Sequence, residues 1–516
     1  MKKENSLFEL IHSLNNNEKR YFMLEATSKR KDSNLSKLFE FLSSQKKYSE
    51  DAILKKFADD NFSKQLHVTK NHLYEAILKS MRAFNIEKSL DHKLKGMLHD
   101  IQFLYDKRLV HQAKTILKRV KNLSEEHEKF TTQLEVLDWE AKILASEFYV
   151  GSIEKDIDTI SDKYYEILEK LQNSREYNDL QSKMFNNYYK EGIERKNENY
   201  KTNDQIISQF ILKDENRSLS FKARCCFYNI HSIYYKINNN WERAYEYRKK
   251  LLQLFDESER ISPEEMNMHF AAINNLLPVS LHLGKHREVA DLLVKMRNIT
   301  EKYPKVKISE DLEMKIFTHS NIAELSLFVR TGEVEKGLKL MDGITPFIIE
   351  NEKKIRKFPL LHLYYNIAYF YFSIGKYSQS IQWMNKILNE NSLKSVEDIH
   401  SSSHILTMIL QYEQGRDELL GYLARSTHRY LNKLEGLYDF ETILLSFLKK
   451  NSTTRNKKDL NRNFTRLREQ LAKTRYEPGE RNALSTIDLL AWIDSKIEGI
   501  HFYEIMRKRA LTDYNS

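Results

Sequence analysis

Three asparagines occupy nearly the same point in three similar stretches of the sequence. Asn275 and Asn366 each lie nine residues before a glycine, and Asn229 stands in a Tyr-Asn-Ile triplet like that of Asn366, with one residue inserted before its turn. A side-chain amide both donates and accepts hydrogen bonds, so an evenly spaced row could grip the backbone of an extended peptide. An amide at this position could instead bond to the neighbouring helix. Nearby tyrosines would add rigid contact area, namely Tyr228, Tyr235, Tyr365 and Tyr371.

A basic stretch from 449 to 475 offers a different chemistry, because it holds 10 Lys and Arg against 2 Asp and Glu. Its cations could hold nucleic-acid phosphates or an acidic partner, and such binding would weaken steeply with salt. The same run is also typical of a solvated surface. The residues concerned are Arg455, Lys457, Lys458, Arg462, Arg466 and Arg468.

Residues 62–84 resemble a helix-turn-helix, with a short helix, a turn near His67 and Val68, and a longer helix behind it. The longer helix would enter the major groove by its first residues and would hold phosphates with two later cations. The alternative is a helical cap that packs on the first repeat. The predicted groove residues are Thr69, Lys70, Asn71 and His72, and the predicted phosphate contacts are Lys79 and Arg82.

Signatures of catalysis are absent from the sequence. No GxxxxGK[ST] loop, GxSxG elbow or HExxH motif occurs. His400 and His404 stand four residues apart, but this pair lacks a third close ligand, and adjacent Cys225 and Cys226 are expected to be buried packing residues. We therefore expect no enzyme activity, no metal and no cofactor.

The helices that would position these side chains recur at regular intervals along the sequence. Short polar turns recur from about residue 93 to 440, and each is followed by a residue that begins an amphipathic helix. These residues are Val110, Ile153, Trp241, His286, Val334, Tyr377 and Asp417. Their intervals are 43, 88, 45, 48, 43 and 40, so a degenerate repeat is expected to turn near 196–200. The pattern predicts eight helical hairpins with a mean spacing of about 44 residues.

The stretch from Phe358 to Glu390 resembles a tetratricopeptide repeat, in which small residues let two antiparallel helices pack closely. The matching residues are Tyr364, Ile367, Ala368, Tyr371, Gly375, Tyr377, Ser380, Ile381 and Leu388. Ser380 and Ile387 stand where alanines are usual, and the spacing is longer and overlaps that of HEAT repeats. The resemblance implies an all-α, right-handed α-solenoid of antiparallel hairpins that binds peptides or proteins, with the helix of Asn366 on its concave wall.

Composition agrees with an all-helical chain, because only 13 Gly and 6 Pro occur in 516 residues. We expect three parts: an N-terminal helical module at 1–90, the repeats at 91–440, and a basic linker with a C-terminal helical cap at 441–516. The uncharged stretch from Phe358 to Gly375 is too polar for a membrane span. The N-terminus lacks a signal-peptide pattern, so a cytoplasmic location is expected.

Together these patterns predict a non-catalytic scaffold that binds a protein or peptide. The alternative is a transcriptional regulator whose N-terminal module binds nucleic acid and whose repeats sense a peptide or protein.

Overall fold

A computed structural model describes residues 6–29, 34–85, 89–146, 153–193, 200–390, 397–432, 437–451, 456–474 and 487–513. Within these ranges every regular element is a helix. The chain divides into two compact units, residues 1–167 and 168–516, and the division falls inside one long helix. The prediction of an all-α protein is confirmed.

The first unit contains the helices α1 to α8 and the start of α9. They are α1 (Ser6–Ser13), α2 (Asn16–Lys29), α3 (Asn34–Ser44), α4 (Glu50–Lys56), α5 (Leu66–Asn85), α6 (Leu90–Asp106), α7 (Val110–Glu126), α8 (Phe130–Ser146) and α9 (Ile153–Ile193). Leu38, Leu42, Leu73 and Ile77 centre one apolar core in α1 to α5. A second core joins α6, α7 and α8.

The second unit continues from α9 through α10 to α25. These are α10 (Tyr200–Ile207), α11 (Phe221–Ile237), α12 (Trp241–Glu257), α13 (Pro263–His282), α14 (His286–Arg297), α15 (Ile299–Lys302), α16 (Glu310–Thr331), α17 (Val334–Asn351), α18 (Lys357–Ser373), α19 (Tyr377–Leu388), α20 (Glu397–Glu413), α21 (Asp417–Asn432), α22 (Asp439–Asn451), α23 (Lys457–Thr474), α24 (Leu489–Glu498) and α25 (Phe502–Asp513). Consecutive helices pack on one another along most of this stretch. The arrangement is compatible with a helical-repeat fold.

All seven residues predicted to begin an amphipathic helix are the first residue of a helix, namely Val110, Ile153, Trp241, His286, Val334, Tyr377 and Asp417. The degenerate repeat is different. The predicted turn at 196–199 lies outside the described residues, although α10 begins at Tyr200. Between Ile153 and Ile193 the spacing of about 44 residues per hairpin is not accompanied by two helices, because α9 is one continuous helix of 41 residues. No Gly or Pro interrupts 153–191, so nothing in the local sequence forces a break there.

Part of the basic stretch after 449, for which the sequence predicts a basic linker before a C-terminal helical cap, is helical. Residues 457–474 form α23, an amphipathic helix whose Phe464, Leu467 and Leu471 are buried. Their spacing of three and four residues gives α23 one apolar face, and that face joins the core of the second unit.

Candidate ligand-binding surface

A left-handed residue marks five of the junctions between consecutive packed helices of the second unit. Asn239, Gly284, Gly332, Gly375 and Gly415 have φ between 57° and 74°, and each lies two residues before the next helix. This conformation reverses the chain within a few residues, and glycine or asparagine adopts it at low cost. Each of these residues joins two helices into a helix pair, which we also call a repeat unit. Positions counted from the left-handed residue can therefore be compared between repeat units, and we call this numbering the common register.

Asn366 is held inside the protein at both ends of its amide. Its Nδ2 donates to the carbonyl oxygen of His362 at 2.8 Å, and its Oδ1 accepts from Oγ of Ser326 at 2.8 Å. Ser326 belongs to α16, so the amide links two helices. The alternative that the sequence left open, a bond to the neighbouring helix, therefore describes Asn366 in the free protein.

The other two asparagines have different surroundings. Asn229 is half-buried and its Oδ1 accepts a hydrogen bond from Nη1 of Arg248 in α12. Asn275 is exposed on α13. The common register thus gives one amide that ties two helices, one that meets a buried cation and one that faces solvent.

The four tyrosines divide in the same way. Tyr228 and Tyr365 are buried, whereas Tyr235 and Tyr371 are half-buried. Burial, together with the Glu215 carboxylate that its hydroxyl contacts at 3.1 Å, raises the pKa of Tyr228 to about 12. Tyr235 stacks on Tyr247 with ring centroids 5.6 Å apart. Tyr235 and Tyr371 therefore keep part of their surface for a ligand, and the two buried rings serve the core.

The C-terminal helix pair, α24 with α25, lies against three earlier helices. The backbone N–H of Asp488, just before α24, donates to the hydroxyl of Tyr369 in α18 at 3.0 Å. Arg507 of α25 donates to the carbonyl oxygen of Gly332 after α16 at 2.8 Å, and Trp492 of α24 donates to Glu413 of α20 at 2.7 Å. The pair is thus more than a cap on the last repeat.

This docking affects the face that carries Asn366. Tyr369 lies three residues after Asn366, and residues at that spacing share one side of a helix. The Tyr369 ring also contacts Phe502 of α25 at 6.1 Å between centroids. Part of the predicted binding face of α18 is therefore covered by the chain itself.

An apolar cavity that the sequence did not indicate lies between α16 and α17. It has a volume of about 630 Å³ and is lined by Met314, Phe317, Leu340 and Phe347 among others. Phe317 stacks on Phe347 with centroids 3.7 Å apart. Nothing lies within 4 Å of the point where a Cβ on Gly343 would stand, so this glycine leaves part of the space open. In the sequence, apolar residues at helical spacing predict a filled core. The residues that line this cavity have the same pattern, so the sequence does not reveal the cavity.

The predicted helix-turn-helix is wrong in its turn. His67 and Val68 lie inside α5, which begins at Leu66 directly after a short 3₁₀ segment. The side chain of Lys70 is held by Tyr48, whose hydroxyl lies 2.6 Å from its Nζ, and by Glu50. Thr69 is half-buried, and the exposed residues of the predicted set are Asn71, His72, Lys79 and Arg82.

The basic face of α23 is solvent-exposed. Arg468 pairs with Asp494 at 2.6 Å. Lys458, Arg462 and Arg466 form no ion pair with any residue that the structure describes. Arg455 lies outside the described residues, and Lys457 is the first residue of the helix.

Neither Cys nor His side chains form an obvious reactive centre in the described ranges. Both cysteines are buried, and burial raises the pKa of Cys226 to about 11, so its thiol stays protonated. His404 packs on Tyr430 at 4.5 Å. No group of three or more potential metal ligands occurs among the described residues. No described helix combines the length and hydropathy that a bilayer span requires.

Two half-buried histidines make the fold sensitive to acid. Burial lowers the pKa of His319 in α16 and of His362 in α18 to about 4, with smaller contributions from Lys315 beside His319 and from His319 beside His362. In the unfolded chain both would titrate near 6.5. Between these two pH values the unfolded state binds protons that the folded state does not bind. The contribution of the two neutral histidines to the free energy of unfolding is therefore fully present above pH 6.5 and is lost as the pH falls towards 4.

Replacing both histidines by glutamine is therefore expected to reduce the loss of stability between pH 7 and 4.5 by on the order of 5 kcal/mol. Urea unfolding at the two pH values measures the difference. An equal loss in the wild type and the double variant would contradict the assignment.

Comparison with known proteins does not assign the sequence to a family. No protein-family model matches the sequence, and no curated protein is significantly similar to it.

Proposed function

We propose that this protein is a non-catalytic scaffold whose helical array binds an extended segment of a protein or peptide partner. The observation that carries the proposal is the recurring unit of helix, left-handed residue and helix, with consecutive helices packed along the second unit. Stacked units of this kind present a long continuous surface instead of a closed active-site cavity.

The proposal includes a right-handed solenoid of antiparallel hairpins of the tetratricopeptide type. Close helix packing within the α18 and α19 unit supports this. The buried hydroxyl of Ser380 donates to the carbonyl oxygen of Ala368 at 2.6 Å, so the two backbones approach closely at the position where alanine is usual. Gly337 of α17 likewise lies against the ring of Phe370.

We place the ligand on α11 to α13 instead of along the whole array. The C-terminal helix pair contacts Gly332, Tyr369 and Glu413, which belong to later units. Asn275 is exposed on α13, and Asn229 and Tyr235 are half-buried on α11. An amide and an aromatic ring there would supply backbone hydrogen bonds and contact area to an extended chain.

Replacing Asn229 and Asn275 together by alanine is expected to abolish capture of the partner from native extract while the chain stays folded. The measurement compares proteins retained by the wild type and by the variant, with circular dichroism as the check on folding. A control variant replaces two exposed asparagines outside this register, Asn298 and Asn385, and should capture normally. Undiminished capture by the first variant would refute the role of the two amides.

Nucleic-acid binding is the second candidate, and the exposed cations of α23 favour it. Lys458, Arg462 and Arg466 follow one another at intervals of four residues, so they lie along one side of the helix. Three such phosphate contacts would make log affinity fall with log salt by a slope of about 3.

Replacing the three α23 cations by alanine in the full-length chain should reduce that slope by about 3 for a duplex of roughly 30 base pairs. The control removes three exposed cations that already have an acidic partner, Lys222, Lys249 and Lys354. Fluorescence anisotropy between about 50 and 200 mM salt measures both variants. Absence of wild-type binding at the lowest salt would eliminate this candidate.

A further inference from the structure

One position in the common register carries a charge where its counterparts are apolar. The ninth residue after the left-handed residue of each junction is buried in every unit. In four units this residue is Leu293, Met341, Met384 or Ala424. In the unit of α11 and α12 it is Arg248, which is only 8 % exposed. A charged residue at a core position departs from the pattern, and such departures are expected at functional sites.

The charge of Arg248 has no acidic partner among the described residues. Its one hydrogen bond goes from Nη1 to the neutral amide oxygen of Asn229. The adjacent lysines differ, because Lys249 pairs with Glu288 at 2.6 Å and Lys250 with Glu215 at 3.3 Å. A guanidinium has five N–H donors, and a buried one without a counter-charge destabilises the fold.

The guanidinium is charged, and only part of it is hydrogen-bonded. Nε and Nη2 of Arg248 have no hydrogen-bond partner among the described residues, whereas Nη1 donates to Asn229. Burial lowers the pKa of Arg248 to about 10, which leaves it protonated at neutral pH.

We propose that Arg248, oriented by Asn229, is the binding site for a single carboxylate of a ligand. The planar edge formed by the unbonded nitrogens matches the two oxygens of a carboxylate. A phosphate carries up to two negative charges and three acceptor oxygens near neutral pH. One buried guanidinium matches a single charge, since Lys249 and Lys250 are already paired.

The carboxylate could belong to a free small acid or to an acidic side chain of a bound peptide. In the second case the inference deepens the proposed function and rests on it, because Asn229 would lie beside the bound peptide and also orients Arg248. Thermal stability reports the anion site without any partner capture, so the two proposals can fail separately.

Arg248→Met tests the site with the residue that two other units use. The ligand-free variant should melt at or above the wild-type temperature, because it removes an unpaired buried charge and keeps the volume apolar. Arg243→Met is the matched control, since it removes the same charge from an exposed position of α12. If Arg248→Met melts well below this control, Arg248 is a structural residue and the proposal is wrong.

The probes are sodium acetate, sodium phosphate, and the capped tripeptides acetyl-Ala-Glu-Ala-amide and acetyl-Ala-Gln-Ala-amide, all at matched ionic strength. At about ten times its dissociation constant, a probe that fills the site should raise the wild-type and Arg243→Met melting temperatures by about 2 °C or more. Arg248→Met should show no rise.

The arms identify the source of the carboxylate. A rise with acetate indicates a free small acid, and a rise with the Glu peptide but not its Gln twin indicates an acidic side chain. A rise with phosphate alone, equal rises for the two peptides, a rise that persists in Arg248→Met, or no rise with any probe would overturn the proposal.

Discussion

Gly332→Ala is expected to release the C-terminal helix pair and to lower the free energy of unfolding by at least about 3 kcal/mol. Gly332 has φ +67°, and a Cβ there would collide with the carbonyl oxygen of Tyr503 and would lie 2.8 Å from Cβ of Arg507. The colliding atoms of Tyr503 and Arg507 belong to or adjoin the backbone of α25, which cannot shift as the end of a flexible side chain can. The whole helix α25 must therefore move away from residue 332. The hydrogen bond from Arg507 to the carbonyl of Gly332 would be lost with it.

Gly375→Ala is the matched control. Gly375 has φ +74°, but nothing lies within 4 Å of the point that its new Cβ would occupy. It therefore shares the left-handed strain, about 1 to 2 kcal/mol, without the collision. Urea unfolding gives the two energies, and limited tryptic cleavage at 507–509 reports release of α25. Equal losses in the two variants would show that the glycine serves only the turn.

The starts of the regular helices could be predicted from sequence because their junctions are local. Gly284, Gly332, Gly375 and Gly415 are visible as glycines between two amphipathic patterns, and each adopts a left-handed conformation. The continuous course of α9 could not be predicted in this way. Residues 153–191 contain no Gly or Pro, and polar residues such as Asn and Ser suit a helix or a turn, so the local sequence does not decide between one long helix and two shorter ones.

The environments of the candidate site residues could not be predicted, although their positions could. Asn366 was visible in the register, but its partner Ser326 is 40 residues away. Arg248 stands in a charged run, YRKKL, which is typical of a solvated helix face. Only comparison with Leu293 and its counterparts in the folded chain exposes it as a core position.

Docking of the C-terminal helix pair also lacks a sequence signal. Its contacts join residues 79 to 175 positions apart, such as Trp492 with Glu413 and Arg507 with Gly332. The apolar spacing of α24 shows that one face must be buried, but does not show against which helices. Long-range pairing of this kind depends on shape and hydrogen bonding that appear only in the folded protein.

Glu413→Ala is expected to destabilise the second unit by about 3 to 5 kcal/mol, because one buried carboxylate joins three elements. Its side chain is 6 % exposed and pairs with Lys496. It also accepts from Nε1 of Trp492 at 2.7 Å and from the hydroxyl of Tyr377 at 3.1 Å. Truncation leaves all three donors without their acceptor, and a half-buried ammonium without its counter-charge.

Glu498→Ala is the control for Glu413→Ala. It also removes a carboxylate that pairs with a lysine of the C-terminal helix pair, but from an exposed position. Glu498 pairs with Lys508 at 2.7 Å, but both side chains are largely exposed. Exposed pairs contribute little, so this variant should lose less than about 1 kcal/mol. Glu413→Gln should fall between the two, since it keeps the shape and an acceptor oxygen while removing the charge. Equal urea midpoints for Glu413→Ala and Glu498→Ala would mean that Glu413 does not anchor the pair.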